Sequence, residues 1–189
     1  VKKSLIGFLS ALLFLSGCVR PGWFTVKGPF TMSSQNYEVM LPEGWRRYQP
    51  ANPVLVTTRD GTSLQEIRIA GFEVGGKKTP FTHTKKKVQE GMLPQELAEV
   101  LLNDLQSNPK YLNFQVQENS PAKVDGHPGF KLVYNYQTAS ELTEKEETYG
   151  FILGKWYYLI NYNAPARHYF DQDLATFEKV KDSFRLMKD

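Results

Sequence analysis

The segment Lys155–Asn163 restricts this chain more than any other. As an extended strand it places Trp156, Tyr158, Ile160 and Tyr162 on one face and Tyr157, Leu159 and Asn161 on the other, because side chains alternate across a β-strand. Both faces are rich in apolar rings. Such a strand needs cover on both sides, so it belongs in the middle of a sheet with helices packed on one or both faces. Glu144–Leu153 precedes it, and Gly154-Lys155 joins the two as a long hairpin.

The remaining periodicities supply neighbours for that hairpin. Tyr37, Val39 and Leu41 alternate with Glu38 and Met40 until Pro42, which cannot donate to a ladder. Gly44 then turns Trp45 back towards the core. Val54–Thr58 and Ser63–Phe72 read as a hairpin around Arg59-Asp60-Gly61-Thr62, since Asp-Gly suits a two-residue turn. Pro94 suits a first helical position, and Leu93, Leu97, Val100, Leu101 and Leu105 form one face of a helix ended by Asn108-Pro109. Leu112–Glu118 alternates again. A turn over Val124–Gly129 leads to a strand carrying Phe130, Leu132, Tyr134 and Tyr136 on one face. Asp171 or Asp173 is placed to cap a final helix whose buried stripe is Leu174, Phe177, Val180 and Phe184. The pattern is α+β: a mostly antiparallel sheet with flanking helices, in one domain over residues 30–189.

The N-terminus has a different composition. Lys2 and Lys3 precede an uncharged apolar run, Leu5–Leu15, short for a membrane span and of the length of a signal-peptide core. It ends in Leu15-Ser16-Gly17-Cys18, which resembles the lipobox of bacterial lipoproteins. That resemblance implies removal of residues 1–17 and lipid on the sulfur and new amino group of Cys18, with residues 18–29 as lipidated tether. Several acyl chains at about 0.8 kcal/mol per buried methylene make a lasting anchor. Val19 in place of an aspartate favours an outer-membrane destination, facing the periplasm. Cys18 is the one cysteine; once acylated it leaves no thiol for a disulfide, a zinc site or a nucleophile. Lys2 and Lys3 supply two of the three net positive charges, so the basic balance gives no support for nucleic-acid binding.

Three stretches carry a wider likeness: Tyr37–Trp45 with its Leu-Pro-Glu-Gly-Trp ending, Asp125-Gly126-His127-Pro128-Gly129 leading into a strand, and Gly150–Leu186. Together they resemble the PsbP/Mog-type αβα sandwich, a group that includes DcrB-like bacterial lipoproteins. The resemblance implies a non-enzymatic accessory, assembly or chaperone-like protein that binds an envelope partner, with no catalytic residues to carry over.

The residues themselves offer little chemistry. His83, His127 and His168 share no metal-ligand spacing. Asp60, Asp125 and the Glu144-Lys145-Glu146-Glu147 run read as turn aspartates and an exposed strand face. The chain contains no Gly-x-Ser-x-Gly elbow, phosphate-cradling loop or dinucleotide fingerprint, so neither a cofactor nor a metal is expected. The best binding candidate is the basic loop with Lys77, Lys78, Phe81, Lys85, Lys86 and Lys87. Near an anionic bilayer each lysine contributes about 1 kcal/mol. The aromatic set around Tyr134, Tyr136 and Trp156–Tyr158 reads mostly as core, with a groove for an apolar peptide as its functional use. Two other functions fit fewer residues: an envelope hydrolase using His127 or His168 with a carboxylate, and a lipid or small-ligand carrier with an apolar interior.

Overall fold

The computed structural model describes residues 22–49 and 53–187. Along the chain run β1 (Gly22–Thr25), β2 (Pro29–Met32), a 3₁₀ turn (Ser33–Gln35), β3 (Tyr37–Met40), β4 (Arg46–Gln49), β5 (Val54–Thr58) and β6 (Glu66–Glu73). Then follow α1 (Pro94–Gln106), β7 (Leu112–Val124), β8 (His127–Gln137), β9 (Thr143–Leu153), β10 (Trp156–Pro165), α2 (Tyr169–Ser183) and β11 (Arg185–Leu186). An eight-stranded antiparallel sheet is ordered β1-β4-β5-β6-β10-β9-β8-β7, and a three-stranded sheet β11-β3-β2. β10 sits between β6 and β9, with Ile160 opposite both Ile69 and Tyr149. The two-faced strand is therefore interior, as its composition requires.

One face of the large sheet packs on α2 and the small sheet. There Phe170, Phe177, Val180 and Phe184 meet Ile67, Ile69, Phe151, Tyr158, Ile160 and Tyr162. Rings stack at centroid separations of 5.0 Å (Phe151–Tyr158) and 5.4 Å (Tyr162–Phe177). Tyr162 stays buried because its hydroxyl donates to the carbonyls of Tyr169 and Phe170, at 3.0 and 3.1 Å. The other face packs on α1. Leu97, Ala98, Val100 and Leu101 lie against Ala70, Phe72, Leu132, Tyr134 and Tyr157, with Phe81 and Val88 added from the 74–93 connection. Gly150 permits close packing here: a Cβ on it would stand 2.4 Å from the Phe130 ring.

Several local expectations are corrected. Gly22–Thr25, within a stretch read both as tether and, from Trp23, as the start of a first strand, pairs with β4, and Trp23 finds Tyr48 across the ladder, rings 5.4 Å apart. Asp60-Gly61 is not a two-residue turn. The strands are separated by residues 59–65, held by side-chain bonds that compete with the ladder: Gly61 N–H to Thr58 Oγ1 (3.0 Å) and Gln65 Nε2 to Asp60 (2.8 Å). The two-residue turn lies instead at Asp125-Gly126, with φ of 49° and 78°, so His127, Pro128 and Gly129 belong to β8. Leu93 precedes α1 and is 61% exposed, outside the buried stripe. Neither aspartate caps α2. Asp171 lies in its first turn, and Asp173 is buried, accepting from Arg59 Nη1 at 2.9 Å and Gln65 Nε2 at 3.2 Å. That pairing ties the 59–65 loop to the helix.

Candidate functional site

The strand directions place the lysines. β1, β5 and β10 run antiparallel to β6. The end of the sheet where β1 begins is therefore the end where β6 leaves into Gly75–Lys78 and where the Gly154-Lys155 turn sits. Lys77, Lys78, Lys85, Lys86 and Lys87 are all exposed. They come from one closed loop. Gly75 N–H donates to the Val88 carbonyl at 2.9 Å across its base. The Asp104 carboxylate on α1 accepts from the backbone N–H groups of His83 and Thr84 at 2.9 and 2.7 Å. Phe81 is a correction to the basic-loop expectation. It is 1% exposed and stacks parallel to Tyr157, centroids 6.0 Å apart. It anchors the loop from within and offers nothing at the surface. The loop thus presents lysines around an apolar pin.

Beside this loop lies a cleft of about 650 Å³ lined by Gln35, Phe72, Gly76, Lys77, Lys78 and Trp156. Its wall is fixed by Gln35, whose Oε1 accepts from the Gly71 N–H at 2.6 Å while its Nε2 donates to the Pro53 carbonyl. Across Trp156 a second cleft of about 450 Å³ is bordered by Leu153, Lys155 and Tyr158. Trp156 is therefore a half-buried aromatic ridge between two clefts, each with lysine at its edge. A surface of this kind suits an acidic segment with apolar side chains.

The Glu144–Glu147 run departs most from expectation. It is not an exposed face: Glu144, Glu146 and Glu147 are 7%, 6% and 3% exposed. Register explains where they go. Tyr136 is opposite Glu144, Tyr134 opposite Glu146, and Asn163 lies between Glu146 and Glu66. Glu66, Glu144 and Glu146 thus share the α1 face with Tyr134 and Tyr136. Burial first, then the neighbouring Glu146 and Glu66 carboxylates, push Glu144 up to about 7. Glu66 is raised by burial too, against the opposing pull of Arg68. On the α2 face Glu147 is also raised, by burial and by its hydrogen bond with Glu178, and Glu178 is held below the ordinary carboxylate range by Glu147 and Tyr149. Glu147 also lies 3.3 Å from Lys131 Nζ. The alternation of Glu144, Glu146 and Thr148 was visible in the sequence. Nothing local said that Tyr134 and Asn163 would enclose that face.

The histidines stay apart. His168 is exposed, with its ring edge-on to Tyr169; His127 stacks on Phe151. Among the described residues no histidine ring is hydrogen-bonded or ion-paired to a carboxylate, and no group of three or more His, Cys, Asp or Glu side chains has metal-site geometry. The hydrolase reading has no geometric support. No helix among the described residues is long and apolar enough to cross a membrane. Cys18 and the 1–17 segment lie outside the described residues.

The class these features define is an α+β sandwich: an antiparallel sheet between helices, with clefts at one end. A model of the PsbP family matches residues 28–186, and the chain belongs to the PsbP family. The fold is shared with cyanobacterial PsbP (CyanoP) from Synechocystis: TM-score 0.55, 15% identity, 90% of this chain and 95% of that one. It is shared also with the Ran-binding protein Mog1p of Saccharomyces cerevisiae, at TM-score 0.55 and 9% identity over 87% of this chain and 97% of that one. A protein from Bacteroides thetaiotaomicron aligns at TM-score 0.54 and 12% identity over 86% of this chain, which spans about half (49%) of its length. No curated protein matches the chain. The αβα arrangement of the PsbP/Mog type expected from the sequence is therefore the fold observed. At these identities the likeness concerns the fold alone.

Proposed function

We propose that the chain is a lipid-anchored, non-enzymatic binding module of the bacterial cell envelope. Acylated Cys18 holds it to the outer membrane facing the periplasm, and the lysine-bearing end of the sheet engages an envelope protein partner. The observation that carries this reading is topological. β1 begins at the end of the sheet that bears Lys77, Lys78, Lys155 and the Trp156 clefts. Cys18 precedes Gly22 by four positions, which limits the acylated residue to about 14 Å from the start of that strand. The tether therefore keeps the basic end close to the bilayer, where its lysines meet anionic head groups and partners held at the same surface. Yeast Mog1p, of the same fold, is named as Ran-binding, which accords with a binding rather than a catalytic use of the scaffold.

The test is metabolic labelling with an alkyne-bearing fatty acid, combined with crosslinking in intact cells. The wild type is expected to carry label and to yield a defined envelope partner. Cys18→Ser is expected to lose the label, and substitution of Lys77 and Lys78 by Gln to lose the partner while keeping the label. Equal label on Cys18→Ser would end the anchoring claim. Recovery of background proteins alone across growth conditions would end the binding claim.

A further inference from the structure

We infer that the face of the sheet under α1 holds a binding site for an organic cation: an ammonium or guanidinium group on a short apolar stem. The inference is independent of the anchoring at Cys18 and of the exposed lysines, although Pro80 of their loop and Asp104, which holds it, border the cavity.

A cavity of about 200 Å³ lies between α1 and the sheet, with Phe72, Leu101, Leu105, Tyr111, Tyr134 and Glu146 among its walls. Its volume equals about six waters. That is below the range of sites for drug-sized ligands, but it accommodates a four-carbon chain with a charged head. The walls are mainly aliphatic and aromatic. Three charged side chains interrupt them, Arg68, Asp104 and Glu146, and the Glu146 carboxylate is 6% exposed.

Glu146 is positioned but has no cation to itself. Its Oε1 accepts from Asn161 Nδ2 at 2.5 Å and from Thr148 Oγ1 at 3.4 Å, so two neutral donors fix the carboxylate in place. Among the described residues it has no salt-bridge partner. Arg68 also borders the cavity; its guanidinium is paired with Glu66 and acts electrostatically on Glu146 as well, so one cation serves two carboxylates, and Asp104 spends its Oδ1 on the 83–84 backbone. Removing a carboxylate from water without an opposite charge is costly. With one guanidinium between Glu66 and Glu146 the site is short of positive charge, and the space beside the carboxylate is mainly apolar and ring-lined. Tyr111 and Tyr134 are among the lining side chains, and aromatic rings attract a desolvated cation. Tyr111 is itself held by Tyr136, the rings nearly parallel with centroids 3.8 Å apart, so the wall is rigid before any ligand arrives.

Two sources supply this chemistry: a free alkylamine, or a lysine or arginine side chain of a bound peptide. The test titrates the ¹⁵N-labelled full chain with n-butylammonium chloride at constant ionic strength, following the amides of Ala70, Leu101 and Leu105. Butan-1-ol serves as the neutral probe of like shape, and acetyl-Gly-Lys-Gly-amide as the peptide probe. Butylammonium is expected to shift those amides saturably and to bind at least about tenfold more tightly than butanol, the factor for one charged hydrogen bond. Glu146→Gln is expected to abolish that preference. Leu105→Trp, which fills the cavity from the helix side and leaves the carboxylate intact, is expected to abolish binding of both probes. Binding of the peptide as tightly as the amine would assign a basic side chain as the natural occupant; binding of the amine alone would assign a free amine. Equal affinity for butanol and butylammonium, or no saturable shift at these amides in the folded wild type, would overturn the site.

Discussion

The two faces of the large sheet are built from neighbouring residues of the same strands, yet they are filled differently. On the α2 face, Phe151, Tyr158, Ile160 and Tyr162 meet Phe170, Phe177 and Phe184, each 1% exposed or less. On the α1 face, aliphatic packing covers only part of the area, and the rest is occupied by Glu66, Glu144, Glu146 and their tyrosine and asparagine neighbours around a cavity. The first face is mostly close-packed rings, with Glu147 and Asp173 buried at its margins and each ion-paired, to Lys131 and Arg59. The second gives up close packing for buried charge, which is seldom the more stable arrangement. The two sides of one sheet are thus packed differently, and the proposed site lies on the side with the less complete packing.

Mutations should break the contrast or sharpen it. Phe177→Ala opens a hole in the close-packed face and is expected to cost about 3–5 kcal/mol in chemical denaturation. Leu101→Ala removes a side chain beside existing space, and about 2 kcal/mol is expected there. Equal losses at the two positions would erase the distinction.

A pH series sharpens it. The Glu144 carboxyl titrates higher in the folded chain, about 7, than the ordinary 4.5. Its contribution to stability is thus intact below about pH 4 and is lost as pH rises through 7. Glu144→Gln is expected to match the wild type at pH 4 and to exceed it by about 1–2 kcal/mol at pH 8, after allowance for solvent screening. Glu147 works in the same direction from the α2 face, opposed by Glu178, so the variant should flatten the wild-type slope without removing it. A variant that loses stability at both pH values would mean that the site needs the carboxylate for packing. The smallest effect belongs to the lysines. Replacing Lys77, Lys78, Lys85, Lys86 and Lys87 with Gln should change stability by less than about 0.5 kcal/mol. It should also reduce cosedimentation with vesicles containing phosphatidylglycerol, most clearly at low salt.

Much of the architecture was legible along the chain. The two-faced strand at Trp156–Asn163 required an interior position, the stripe Phe177, Val180 and Phe184 required a helix against it, and the hairpin at Gly154-Lys155 formed as its turn residues demand. These are short-range signals: periodicity, turn chemistry and β-branching act within a few residues. One turn reading failed locally, at Asp60-Gly61, where side-chain bonds replaced the tight turn; the other failures were of longer range. Phe81 looked like a loop aromatic among lysines until Tyr157 supplied its partner. Asp173 looked like a cap until Arg59 and Gln65 reached it across 114 and 108 positions.

The sequence by itself determined that the chain forms a two-sided antiparallel sheet with helical cover, and that five of its lysines fall in one loop, because alternation and charge are written residue by residue. Only the tertiary structure decided that Glu144 and Glu146 lie inside and that the lysine loop shares an end of the sheet with β1. A carboxylate's surroundings depend on which strand lies opposite, and strand register is set by packing across the whole sheet rather than by any segment within it.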